Sequence, residues 1–312
     1  MKIDIDKNSN FVIAADIGGT NIRVSLVDRK GTIVKKKKVA YDPSLGIDKA
    51  GLLITELSAE ICKNDSIFGM GYSSAGPLNQ INGEYINPPN LTGWHNKSLV
   101  PIIRENLGIV PKVGHDATLA ALAETKLGEF SGSKDLLYLT VSTGVGAGLI
   151  SNGNLIQGHN WFAGEVGHMI INPNGPGCSL GCPGCLEGNV SGTAIASIAK
   201  NELLKKSKSF ENLDSKSVFD LAVNGDRDCN QILLSVVENL GRGLASLLAI
   251  FNPEVIILGG SVAEAIQKNY WDDLMKFTSN YSINFYKNNP PIKMTTLGED
   301  ASILGASIIA YT

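Results

Sequence analysis

Two stretches of the chain follow one pattern, and that pattern restricts the fold more than any other feature of the sequence. An apolar strand over Phe11–Ile17 breaks at Gly18-Gly19-Thr20-Asn21 and resumes over residues 22–27. A second, Leu136–Val141, breaks at Ser142-Thr143-Gly144-Val145-Gly146 and resumes over residues 147–150. Each is a hairpin closed by a glycine turn. Two such hairpins in one chain predict two similar α/β domains, each with a phosphate-facing turn. The 312 residues suit two domains, and either half is long enough to bury its own core.

Around the hairpins the hydrophobic period switches between strand and helix. Residues 32–40 add a third strand to the first hairpin, 67–72 and 110–113 read as further strands, and 50–62, 99–107 and 116–130 carry helical spacing. Residues 78–96, rich in Asn, Pro and Gly, predict an ordered, irregular loop. Residues 151–190 form a longer Gly, Pro, Asn and Cys segment, and a loop of that length is usually functional or cross-linked. Helices follow at 191–206, 214–224 and 229–251, then a strand at 254–258 ending in Gly259-Gly260, and a last apolar helix at Ala301–Ala310.

Composition narrows the function classes. A formal net charge of −3 lacks the basic footprint of a nucleic-acid binder. The run Lys35, Lys36, Lys37 and Lys38 lies in a β-like stretch and reads as a solvated edge strand whose charges discourage pairing. Residues 1–10 are polar and charged, unlike a signal peptide, and no window holds the ~18 consecutive apolar residues that span a bilayer. A soluble cytoplasmic protein with no membrane or nucleic-acid partner is expected. Of five cysteines, Cys178, Cys182 and Cys185 fall within eight residues, which in that setting favours metal binding over disulfides.

Four places can carry chemistry. In Asp16-Ile17-Gly18-Gly19-Thr20-Asn21-Ile22-Arg23 the glycines let backbone N–H groups approach a phosphate with no Cβ between them. Thr20 adds a hydroxyl, Asp16 can hold a hydrated Mg²⁺, and the planar fork of Arg23 suits an anion; the same residues also suit a plain hairpin turn. In the second turn Thr143 precedes Gly144, Gly146 and Gly148, whose G-x-G-x-G spacing faintly resembles a dinucleotide site. That site must open a helix, whereas residues 147–154 continue as a hairpin, and no G-x-x-x-x-G-K-S/T occurs in the sequence. At His115-Asp116 a short strand meets a helix, where an Asp is either an N-cap or a general base aimed into a cleft. Finally, Gly164-Glu165-Val166-Gly167-His168 is followed by Cys178, Cys182, Cys185 and Glu187. His168 and the three thiols make up a Cys₃His zinc set, unless the thiols are simply free.

In this order the pieces resemble the ROK family of sugar kinases and repressors, over nearly the whole chain. The matching motifs are Asp16-x-Gly18-Gly19-Thr20-x-x-Arg23, Ala75-Gly76-Pro77, Asn90-Leu91 before Gly93-Trp94, Asp116-Ala117, the second glycine turn, Gly164-Glu165-Val166-Gly167-His168, and Gly184-Cys185-Leu186-Glu187. The resemblance implies an actin-like ATPase (ribonuclease H-like) fold with a nucleotide cleft between two α/β domains. These would be residues 1–117 plus 300–312, and residues 118–299 with a Cys-rich zinc loop at 164–190. It implies ATP and Mg²⁺, a structural Zn²⁺ on His168, Cys178, Cys182 and Cys185, and Asp116 as catalytic base rather than cap. Gly76, Asn90, Glu165, His168 and Glu187 match sugar-contacting positions. Gly18, Gly19, Thr20, Thr143, Gly144 and Gly146 match the phosphate turns, and Gly259-Gly260 the adenosine side. A homodimer is expected on the same ground.

The chain departs from the family pattern at two positions. The family usually carries Asn before the catalytic Asp; here it is His115, which can still donate one hydrogen bond to a sugar. The family motif Cys-x-Cys-Gly-x-x-Gly-Cys, aligned on Gly181 and Gly184-Cys185, has Leu180 at its second cysteine, and Cys182, two residues on, is expected to substitute as ligand.

The resemblance implies in-line phosphoryl transfer to a hydroxyl, O6, of a hexose or N-acetylhexosamine; glucose, N-acetylmannosamine, N-acetylglucosamine and fructose all suit the motifs. The alternative is a sugar-responsive transcriptional regulator of the same family without enzymatic activity. Such regulators carry a helix-turn-helix before the first strand, and ten residues precede Phe11, so the kinase is the favoured expectation. A polymerising actin-like ATPase would have no use for the sugar-type loop at 164–187.

Overall fold

The computed structural model describes residues 3–63, 65–86, 88, 90–207 and 212–312. The first hairpin is β1 (Phe11–Ile17) antiparallel to β2 (Asn21–Asp28), with β3 (Ile33–Ala40) on its far side. Six of the seven β1 residues are buried, which accounts for its nearly unbroken apolar run. α1 (Ile47–Ile61) crosses to β4 (Met70–Ser74), which runs parallel to β1. A small hairpin of β5 (Leu78–Asn79) and β6 (Glu84–Tyr85), then α2 (Val100–Leu107), lead to β7 (Lys112–His115), parallel to β4. The sheet order is β3-β2-β1-β4-β7. The lysine run lies on the edge strand β3, as expected, and each amine also finds an acid: Lys35 meets Asp65, Lys37 meets Glu60, and Lys36 and Lys38 meet Glu299.

α3 (Asp116–Leu127) carries the chain to a second sheet. There β8 (Leu136–Val141) and β9 (Val145–Ser151) form the second hairpin and β10 (Asn154–Leu155) extends it. α4 (Leu186–Val190), α5 (Gly192–Lys205), α6 (Ser215–Val223) and α7 (Arg227–Phe251) follow, then β11 (Val255–Gly259), α8 (Ser261–Tyr281) and β12 (Ile292–Met294). The order β10-β9-β8-β11-β12 repeats the first sheet: a three-strand antiparallel meander continued by two parallel strands. This repeated unit is ribonuclease H-like, and two of them make the actin-like ATPase fold. Among the described residues α7 is long and apolar enough to cross a membrane, but 67% of its most apolar window is buried. Leu233, Val237, Leu240 and Leu244 pack in the second core, so α7 is a core helix.

Residues 78–96, expected to be irregular, contain the β5–β6 hairpin, and three further stretches differ from the sequence reading. β4 and β7 lie two or three residues later than the periodicity suggests, which makes His115 the last residue of a strand. Residues 151–190 are not all irregular: they contain β10, a 3₁₀ turn at Val166–His168, and α4. α8 and β12 occupy a region where no element was expected. α8 is interrupted at Tyr270 (φ −140°), which breaks the helical period that would reveal it.

α9 (Ala301–Ala310) returns to the first sheet. A Cβ at Gly71 of β4 would lie 2.1 Å from the Ala306 carbonyl oxygen, and one at Gly305 would lie 2.0 Å from that of Leu119. Glycine at both positions lets β4, α9 and α3 pack backbone to backbone, with Val12, Ala14, Ala123 and Ile303 filling the space around them. On its other side α3 presents Ala117, Ala120 and Ala121 to Leu136, Tyr138 and Ile257 of the second sheet. α3 therefore touches both sheets, and its first residue stands where they face each other.

Candidate active site

That first residue is Asp116. The capping position falls on His115, so Asp116 is inside the helix rather than its cap. A carboxylate there is favoured by the positive end of the helix dipole. Its Oδ1 accepts the Ala117 N–H at 2.7 Å and lies 3.2 Å from His115 Nε2, while Oδ2 has no hydrogen-bond partner among the described residues. Asp116 borders two cavities. One, of about 430 Å³, has Asp16, Thr20, Arg23, Ser142 and Gly260 in its walls. The other, of about 510 Å³, has Gly76, Asn90, His115, Glu165, His168 and Glu187. Gly18, Thr140 and Ser142 also border both, so Asp116 stands at their junction.

The first glycine turn is closed by the Gly18 N–H donating to the Asn21 carbonyl at 3.0 Å. A Cβ at Gly18 or Gly19 would meet nothing nearer than 3.6 Å. Packing does not demand glycine there, which suits a turn that something else must approach closely. Asp16 Oδ2 accepts from Arg23 Nε (3.1 Å) and Nη2 (2.8 Å), and Oδ1 accepts from Ser302 Oγ (2.9 Å). Arg23 Nη1 donates to the Glu299 carbonyl at 2.6 Å. Burial alone would lower the Arg23 pKa, but Asp16 above all, with Glu299 and Asp300, outweighs it and raises it. The fork expected to meet an anion is thus engaged by protein acceptors, and it holds Asp16 in place.

The second turn is pinned by the start of α5. Gly192 N–H donates to the Ser142 carbonyl (2.7 Å) and Thr193 Oγ1 to that of Thr143 (3.0 Å). Thr143, Gly144 and Gly146 line the second cavity, as does Gly19. Gly260 lines the first, whereas Gly259 lines neither. A Cβ at Gly259 would lie 2.1 Å from Tyr138 Oη, so packing of β11 on β8 accounts for that glycine.

The cysteine loop meets the second cavity through His168. Its Nδ1 is 3.6 Å from both Cys178 Sγ and Cys182 Sγ, and the three atoms lie within 4.8 Å of one another. A tetrahedral zinc with its usual bond lengths separates a sulfur from a nitrogen ligand by roughly 3.6 Å, so the spacing fits. Burial opposes the Cys178 thiolate, but the N–H groups of Cys182 and Leu180, together with Cys185 and His168, outweigh it and hold this pKa below the ordinary thiol value. A metal ligand needs that thiolate. Cys185 stands outside the trio: it is buried beside Cys178 at the head of α4, with Sγ accepting the Gly188 N–H at 3.4 Å. His168 Nε2 lies 3.6 Å from Glu165 Oε2, the kind of carboxylate partner a ligating histidine keeps. Glu187 Oε2 accepts the Val145 N–H at 2.9 Å. Phe162 on the second cavity, and Ser261, Glu264 and Ser302 on the first, carry no sequence signal of their own.

The sequence model of the ROK family matches residues 12–312. The chain belongs to the ROK family. It is 32% identical over 308 residues to a glucokinase of Thermotoga maritima, covering 96% of each chain. It is 30% identical to a xylose repressor of Caldicellulosiruptor bescii, covering 97% of this chain and 78% of that protein. It is 29% identical to an N-acetylmannosamine kinase of Shigella flexneri, covering 96% of this chain and 98% of that one. Among solved structures, the ROK hexokinase of Thermus thermophilus superposes with a TM-score of 0.83 at 31% identity, over 96% of this chain and 98% of that one. A ROK glucokinase of Streptomyces griseus, in complex with glucose and AMPPNP, gives 0.82 at 27% identity, over 96% and 99%. The two-sheet architecture is thus that of ROK sugar kinases.

Proposed function

We propose that this ROK protein transfers the γ-phosphoryl group of ATP to a hydroxyl, O6, of a hexose or N-acetylhexosamine. The observation that carries the reading is Asp116, a carboxylate with one unengaged oxygen between a cavity walled by Asp16 and a glycine turn and a cavity walled by hydroxyl-matching groups. Asn90, Glu165, His168 and Glu187 supply those groups, and the kinase relatives support the assignment. Phosphoryl transfer leaves the protein mostly positioning and electrostatic work. Asp116 accepts the proton of the attacking hydroxyl on Oδ2, assistance worth roughly 10²–10⁴-fold.

With the Gly18 N–H closing its own turn and the Val145 N–H taken by Glu187, the backbone N–H groups of Gly19, Thr20, Thr143 and Gly144 would face the phosphate oxygens. Asp16, held by Arg23 and Ser302, would hold Mg²⁺ through its water shell. Bound Mg²⁺ supplies charge neutralisation at the β- and γ-phosphates. His168, Cys178 and Cys182, with Cys185 beside them, would hold a structural Zn²⁺ that fixes the loop bearing Glu165 and Glu187. Cleft closure excludes water that would otherwise compete with the sugar. The reading is completed by a cytoplasmic homodimer without nucleic-acid or membrane partners.

An ADP-release assay across a panel of hexoses and N-acetylhexosamines tests the proposal. Release stimulated by at least one of them is expected, and no stimulation by any would sink it. The similarity to a xylose repressor supports the rival reading of a regulator. Sugar-sensitive retention of promoter DNA in a gel shift, without turnover, would decide for that rival.

A further inference from the structure

His115 is built into the junction by its neighbours. A Cβ at Gly76 would lie 2.8 Å from its Cδ2, and one at Gly146 would lie 3.6 Å from its Cε1. The ring is therefore held between the loop after β4 and the second hairpin, with its side chain 19% exposed. In that slot Nε2 lies 3.2 Å from Asp116 Oδ1, the oxygen that also takes the Ala117 N–H. The other acidic groups of the cavity are engaged elsewhere: Glu165 faces His168, and Glu187 takes the Val145 N–H. Asp116 is thus the acceptor that Nε2 meets.

We propose that His115 is a positioning residue for Asp116 rather than a ligand of the sugar. The 3.2 Å approach is within reach of a hydrogen bond but is not aligned as one here; with hydrogen on Nε2, a turn of the ring in the substrate complex would let it donate to Oδ1. With Ala117 N–H on the same oxygen, two donors then fix the rotation of the carboxylate and keep Oδ2 turned to the junction. A base held this way keeps Oδ2 aimed where the acceptor hydroxyl arrives. The inference rests on Asp116 being the base, and it adds a residue whose contribution is to kcat rather than to sugar affinity.

Sugar-dependent ADP release by the wild-type protein, and its loss in Asp116→Asn, are measured first, so failure of the base assignment shows separately. His115→Phe keeps a ring in the slot without the donor. It is expected to lower kcat about 10- to 100-fold, the factor for one hydrogen bond to a charged group, with sugar KM changed less than about threefold. His115→Gln, whose amide can donate, is expected to recover most of the loss. If His115→Phe melts early, His115→Ala replaces it, with added imidazole expected to fill the slot and restore kcat. A raised sugar KM with unchanged kcat would make His115 a sugar ligand and overturn the proposal. So would unchanged kinetics, or a kcat loss that neither glutamine nor imidazole relieves.

Discussion

The carboxylate of Glu187 and the backbone N–H of Val145 are 2.9 Å apart, and this one hydrogen bond fastens the cysteine loop to the second glycine turn. The contact is close enough that a Cβ on the neighbouring Gly144 would lie 2.8 Å from Glu187 Oε2. A group expected to touch sugar therefore also shapes a turn expected to touch phosphate. Glu187→Ala removes the acceptor, and both sugar KM and ATP KM are expected to rise. Glu187→Gln keeps a carbonyl oxygen for Val145, so ATP KM should stay near wild type while sugar KM rises. Steady-state kinetics with each substrate varied in turn checks this, and an ATP KM indifferent to Glu187→Ala breaks the link.

Asp116→Asn removes the proton acceptor with little change of shape. Turnover is expected to fall by about 10²–10⁴-fold, while sugar binding by calorimetry survives within severalfold. Wild-type turnover in that variant removes Asp116 from the mechanism.

How much of this was legible in the sequence depended on how local each interaction is. Both glycine hairpins, Asp116 at a helix start, and the cysteine cluster stand in short motifs, and the structure brings them together. The donor to Asp16 is different: Ser302 lies 286 residues away in an apolar helix, where a serine has no period or motif to mark it. Arg23 and Asp16 stood in one motif, but the distant partners of Arg23 were not visible, because Glu299 and Asp300 reach it only once α9 has packed on the first sheet. Gly259 looked like part of a ligand turn and is accounted for by the Tyr138 hydroxyl of the adjacent strand. Leu180 was read as the position of a missing thiolate, and it lines the second cavity.

Cys182 Sγ stands 3.6 Å from His168 Nδ1, where a ligand in place of the absent one would stand. Cys182→Ser and Cys178→Ser are expected to lower bound zinc, measured by elemental analysis, and to loosen sugar affinity, since the loop also carries His168 and Glu187. A wild-type protein purified without chelator and free of zinc would remove the metal from the account.

Alkaline stability is expected to depend on a buried thiol and two buried phenols. Burial above all, then Asp65, pushes the Cys62 thiol from 9.0 up to about 12, against the opposing charge of Lys35. Burial also raises the Tyr85 and Tyr138 phenols above their usual range, in Tyr85 against the Ser74 hydrogen bond. The native state holds these protons more tightly than the unfolded chain does. Their contribution is therefore present in full below about pH 9 and is lost as pH climbs through the native values. The urea midpoint is expected to fall steadily above about pH 9.5. In Cys62→Ala the fall should be shallower between pH 9 and about 12, and an identical slope in that variant would exclude the thiol.

Gly76 gives a test of packing at the junction that does not depend on turnover. Its φ lies outside the left-handed region, so the backbone itself accepts alanine. The nearest obstacle is the His115 ring, with Cδ2 at 2.8 Å and Nε2 at 3.4 Å from the added carbon; the Leu78 N, also at 3.4 Å, is tight but tolerable. Gly76→Ala alone is expected to cost about 1–3 kcal/mol by forcing the ring aside. In a His115→Asn background the shorter side chain leaves that space, and the same substitution should cost under about 0.5 kcal/mol. A double-mutant cycle from urea unfolding reads the difference directly as a coupling energy. Additive costs would mean that the ring and residue 76 do not share the space the structure gives them, and the slot that holds His115 against Asp116 would have to be redrawn.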